Sequence, residues 1–145
     1  MAIEIDPERD ALVIVDVQND FCPEGALGVP EGDRVVPVLN RYAERFAALG
    51  APVFASRDWH PAETTDGMPF AAALGERGVS RLFIGGLATD YCVKSTVVDG
   101  VQAGFEMVVL EDAIAAVDLT PGDGERALET IRATGAQIVR LDDVR

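Results

Sequence analysis

Residues 11–17 read ALVIVDV, from Ala11 to Val17, and every residue but Asp16 is apolar. A nearly continuous apolar run of this length predicts a strand covered on both faces, as in a parallel sheet. A loop rich in Pro and Gly follows, from Cys22 to Gly32. Next, Val35, Val38, Leu39, Tyr42, Phe46 and Leu49 recur at helical spacing. They predict a helix from Asp33 to Leu49, stopped by Gly50.

The same alternation continues to the end of the chain. Pro52–Arg57 (PVFASR) reads as the second strand, and Phe70–Arg77 as a short helix ended by Gly78. Arg81–Gly85 (RLFIG) is the third strand, and Asp90–Ala103 a helix ended by Gly104. Phe105–Leu110 (FEMVVL) is the fourth strand, Gly124–Thr134 a helix closed by Gly135, and Gln137–Leu141 (QIVRL) the fifth strand. Strands alternating with helices imply a parallel sheet with right-handed crossovers. The expected architecture is three-layer α/β/α, one open parallel sheet of about five strands in the order 2-1-3-4-5. That order puts a topological switch point between strands one and three. Open α/β sheets bind ligands there, at the carboxyl ends of the strands.

Composition narrows the field. The 145 residues suit one domain, and 48% of them are apolar, too many for a disordered tail. No apolar run reaches membrane-span length, and no charged-then-apolar signal precedes the first strand. A soluble, cytoplasmic protein without a membrane partner is expected. The net charge of −13 is spread along the chain and would repel phosphate backbones, which argues against nucleic acid. Such charge serves solubility. Two distant cysteines, Cys22 and Cys92, do not make a disulfide framework. His60 and Lys94 are the sole histidine and the sole lysine.

Three polar clusters fall at the carboxyl ends of the first three strands. The first is Asp16, Gln18, Asn19 and Asp20. A carboxylate ending an apolar strand is desolvated unless paired, which suits a general base, and equally suits a cap on the loop that follows. The second is Ser56-Arg57-Asp58-Trp59-His60-Pro61. Asp58 and His60 could share a metal ion, and carboxylate plus imidazole suits zinc, manganese or iron(II). The alternative is a histidine packed beside Trp59 and bonded to backbone. The third runs from Gly85 to Val93 (GGLATDYCV). Its glycines allow close backbone approach, Thr89 is a good N-cap, and Cys92 then falls in the first helical turn. The helix dipole favours a thiolate there, and backbone N–H groups could hold an oxyanion. The alternative is a small buried hydrophobe, the role of most cysteines. Tyr91 and Trp59 suit either core or pocket wall. A base after strand one facing a thiol after strand three would suit amide hydrolysis through a thioester.

The motifs DVQNDFCPEGAL, SRDWHP and GLATDYCV, in this order, resemble the nicotinamidase branch of the isochorismatase-like cysteine hydrolases. The resemblance spans Ala11 to about Asp118, and FCPEGAL tilts it to that branch. It implies a hydrolase acting on the C–N bond of a small-molecule carboxamide, within pyridine nucleotide metabolism and NAD salvage. Asp16 matches the family's general base and Cys92 its nucleophile. Asp58 and His60 match two ligands of a divalent metal, zinc first, with manganese or iron as alternatives. Phe21 matches an aromatic packed on the substrate ring, and Trp59 and Tyr91 join it as substrate-binding candidates. Ala88 follows a cis peptide in the family, and its N–H with that of Cys92 forms the oxyanion hole. Members are often homo-oligomers, so one is expected here.

The departures from the family are specific. Its further metal-binding histidines after the His60 position are absent, although Asp66 lies near where the next ligand would fall. Its catalytic lysine, between the second and third long strands, is also absent, since Lys94 follows Cys92 on the helix. The chain is tens of residues short of the family near 65–66. Either the stretch is deleted from one domain spanning 1–145, or the sequence omits it. The second is preferred, because losing a pocket wall while every flanking motif survives would be odd. Two alternatives to nicotinamide hydrolysis stand: another small-amide hydrolase of the superfamily working without metal, or a non-catalytic binding domain lacking the lysine.

Overall fold

The computed structural model describes residues 3–15, 34–55, 78–87, 89–116 and 120–144, without the side chains of Asp90 and Tyr91. The expected loop at 22–32, the helix at 70–77 and the junction near 65–66 lie outside them. The elements are β1 (Asp10–Val15), α1 (Val35–Ala48), β2 (Val53–Ala55) and β3 (Arg81–Leu87). There follow a π turn (Thr89–Val93), α2 (Lys94–Gln102), β4 (Glu106–Ala115), α3 (Asp123–Ala133), β5 (Gln137–Val139) and a 3₁₀ turn (Leu141–Asp143). The sheet runs β2-β1-β3-β4-β5, and every pairing is parallel. Both the order and the switch point between β1 and β3 match the expectation.

Strand alternation divides the core in two. Leu12, Phe83, Val108 and Leu110 face one side, under Val35, Leu39, Tyr42 and Phe46 of α1. Val13, Val15, Ile84, Met107 and Val109 face the other, under Val93, Val97 and Ile131. Phe46 meets Phe83 edge to face, with ring centroids 5.2 Å apart, a favoured aromatic arrangement. The amino ends of the two central strands are tied by Asp10 and Arg81, which are register partners and form a buried bidentate ion pair.

Among the described residues, three strand ends differ from the sequence reading by more than one residue. β3 does not stop at its glycines but runs through Gly85 and Gly86 to Leu87. β4 continues past Leu110 to Ala115. Its register against β3 jumps between Ile84↔Val109 and Gly86↔Ile114, so the extra residues form an irregular bulge. β5 ends at Val139, and Leu141, expected at its end, starts the 3₁₀ turn.

Gly86 explains how β1 and β3 come so close at the carboxyl end. Its φ is +122°, and a Cβ there would overlap the carbonyl oxygen of Val15 and lie 2.6 Å from its nitrogen. Gly85 serves a neighbouring contact, since a Cβ would lie 2.6 Å from Cδ2 of Leu39 on α1. Gly86→Ala should therefore cost roughly 2–4 kcal/mol, from overpacking and positive φ together. A lowered urea midpoint would show it.

The β4 bulge presents Asp112. Its carboxylate accepts the Tyr42 hydroxyl at 2.9 Å and the Leu141 N–H at 2.9 Å. Burial, then the bond to Asp112, push the Tyr42 phenol well above its usual range. The phenol stays neutral in the folded protein while the unfolded chain ionises near pH ~10, so stability falls as pH rises above that value. Tyr42→Phe should cost about 1–2 kcal/mol at neutral pH and flatten that alkaline fall, as read by denaturation midpoints from neutral to alkaline pH.

Candidate active site

The strand ends that frame the site are aligned by the register. Val15 of β1 pairs with Gly86 of β3, and Gly86 with Ile114 of β4. Asp16 is the next residue in sequence after Val15, and the helix carrying Cys92 starts two residues after Leu87. Leu87 and Thr89 are buried. The sequence expectation of an α-helical first turn needs correcting: Thr89–Val93 is a π turn, which continues directly into α2. It packs on β3 and α3. π insertions in helices recur at functional sites because they re-aim side chains within an otherwise regular helix.

Cys92 is a half-buried thiol on this turn. It packs against the core formed by Val15, Ile84 and Val93. Its carbonyl accepts the Thr96 hydroxyl at 2.7 Å. The first turn of a helix leaves backbone N–H groups without intrahelical partners at the positive end of the dipole. A developing negative charge at that end would find donors nearby.

Asp16, Phe21, Asp58, Trp59, His60 and Ala88 lie outside the described residues, as does the side chain of Tyr91. Thr89 was expected to cap the helix, yet its hydroxyl bonds no helix N–H among the described residues. Sequence reasoning also missed Arg34, which donates to the carbonyl of Ile114 at 3.2 Å and braces α1 against the end of β4. No sequence signal marks that contact, because the β4 bulge sets it. Among the described residues, no group of three or more His, Cys, Asp or Glu side chains could hold a metal ion. No described helix is long and apolar enough to cross a membrane.

A parallel open sheet with a thiol on the helix turn at its switch point defines an open α/β domain, a class that binds ligands at the carboxyl ends of its strands. The chain belongs to the isochorismatase family: the model described as the isochorismatase domain matches residues 10–73 and 63–143. Among curated relatives, the nicotinamidase of Escherichia coli strain K12 is 30% identical over 203 residues, covering 92% of this chain and 95% of that protein. The nicotinamidase/pyrazinamidase of Mycobacterium tuberculosis is 28% identical over 185 residues, covering 89% and 97%. Among solved structures, the pyrazinamidase of Pyrococcus horikoshii in complex with zinc is 34% identical at a TM-score of 0.82. It covers 93% of this chain and 100% of that one.

Proposed function

We propose that the protein deamidates nicotinamide to nicotinate and ammonia through a thioester on Cys92. The observation that carries this reading is the position of Cys92, on the helix turn that follows β3 at the switch point. Its relatives named nicotinamidase supply the substrate.

In the proposed mechanism, Asp16 takes the thiol proton and the Cys92 sulfur attacks the carboxamide carbon. The backbone N–H groups of Ala88 and Cys92 hold the oxyanion. Asp16 then passes its proton to the departing nitrogen, so that ammonia leaves and an acyl-thioester remains. Water, deprotonated by Asp16, cleaves the thioester and restores the thiol. Phe21, Trp59 and Tyr91 would line the space for the ring.

Asp58 and His60 would hold a divalent metal, zinc, manganese or iron(II). These donors suit such an ion in kind, but two of them fill only part of a shell of about four positions. When bound, the ion would supply a fixed anchor for the pyridine nitrogen, and no step above depends on it. The length of the alignments bears on the short donor set. An alignment over 203 residues exceeds the 145 of this chain, so the relative carries tens of residues facing a gap. The family model also matches in two overlapping pieces that meet at 63–73. Both support the reading that a stretch near 65–66 is missing, and with it the remaining ligands and the lysine.

The test is ammonia release from nicotinamide, with and without zinc, manganese or iron(II), with Cys92→Ala as control. Turnover lost in the variant supports the proposal. No turnover under any metal would overturn it in favour of a binding-only domain. An intact mass above 15.4 kDa for the native protein would place the missing stretch outside this sequence. We also propose a homo-oligomer, which sedimentation would check.

A further inference from the structure

We infer that Thr89 is a specificity-determining residue, its hydroxyl accepting an N–H of the primary amide attacked by Cys92. The inference rests on the proposed amide hydrolysis and deepens it. Thr89 is 3% exposed, one of three polar or charged residues buried among those described. The other two, Asp10 and Arg81, satisfy each other. The Thr89 hydroxyl has no hydrogen-bond partner among the described residues, and it does not cap its own helix. Native proteins rarely leave a buried hydroxyl unmatched, so its partner lies outside this set, in a segment not described or in a bound ligand.

Its place indicates which partner. Thr89 opens the π turn that carries Cys92 three residues on. The carbonyl oxygen of a substrate held against the Cys92 sulfur is assigned to backbone N–H groups. The amide nitrogen then brings hydrogens that need an acceptor in a buried site. A threonine hydroxyl offers lone pairs for one of them. An ester of the same ring acid brings no N–H, so this contact would favour amide over ester.

The experiment compares kcat/KM for nicotinamide and for methyl nicotinate in the wild type, Thr89→Val and Thr89→Ser, with melting temperatures alongside. Thr89→Val keeps the shape and removes the hydroxyl. It should lower the amide-to-ester ratio by about tenfold, the worth of one hydrogen bond, without lowering the melting temperature, whereas Thr89→Ser should keep the ratio. An unchanged ratio, or equal slowing of both substrates, would overturn the inference and leave the deamidation reading intact. If the wild type turns over neither compound, deamidation fails. The inference is then judged by nicotinamide protection of Cys92 against iodoacetamide. Weaker protection in Thr89→Val supports it, and equal or absent protection overturns it.

Discussion

Cys92→Ala is expected to lose ammonia release by at least about a thousandfold while keeping its fold. The sulfur is the atom proposed to bond the substrate, and neither lone pairs nor dipole can replace it on alanine. The fold has little reason to notice. Cys92 is only half-buried, and it lies at the edge of the second core, whose bulk comes from Val15, Ile84, Val93 and Val97. Deleting one sulfur from such a position should cost about 1 kcal/mol or less, a melting shift of a few degrees at most. The Thr96 bond to the Cys92 carbonyl involves only backbone at position 92 and survives the change. Calorimetry beside the ammonia assay checks both halves. Activity retained in this variant would remove Cys92 from the mechanism.

The largest loss of stability is expected at the opposite end of the strands. Arg81→Ala should destabilise the protein by about 3–5 kcal/mol, the usual result of orphaning one partner of a buried ion pair. Asp10 is wholly buried. Arg81 donates to it through Nε at 2.8 Å and a terminal nitrogen at 2.6 Å. The Asp6 N–H completes the set at 2.7 Å. Arg81 also donates to the Glu4 carbonyl at 2.9 Å and lies 5.1 Å from the Phe83 ring centroid. The bond to Asp10, foremost, holds the guanidinium above even its usual pKa. Removing Arg81 leaves a carboxylate in a dry place with one backbone donor and the half-exposed Arg9 guanidinium 3.8 Å away. Replacing both partners together by apolar residues, Asp10→Leu with Arg81→Met, should recover most of the loss. Chemical denaturation of the three variants distinguishes these cases. Because the pair sits at the amino ends of β1 and β3, kcat below the melting range should not change.

The frame was legible because its signals are local and repeated. The apolar run at Ala11–Val15, the spacing of Leu39, Tyr42 and Phe46, and the punctuating glycines each report on their own segment. What escaped was set by contacts between segments. Glu111 and Asp112 look like the end of a strand. They remain in β4 because the bulge gives Asp112 two partners, Tyr42 and Leu141, that lie far away in sequence. Gly85 and Gly86 look like strand terminators. Their smallness instead serves neighbours, Leu39 and Val15, while the strand runs on. Asp10 and Arg81 carry a weak signal, since a charge heads each of two apolar strands, but only the pairing of β1 with β3 turns them into one ion pair. For the site, motif resemblance named Asp16 and Cys92 together. Spacing could only offer each as one of two alternatives.

The pairing of β1 with β3, rather than with its sequence neighbour alone, also governs how freely the family can vary. The connection from Ala55 to Arg81 closes a loop whose two ends are fixed by the same central strand. The entropy of closing such a loop grows only with the logarithm of its length, about 0.6 kcal/mol for each doubling. Gain or loss of tens of residues there changes folding free energy by less than a single good core contact. The scaffold therefore insulates itself from this crossover. A change of length between Ala55 and Arg81 can be absorbed without altering the pairing of β1 with β2 and β3.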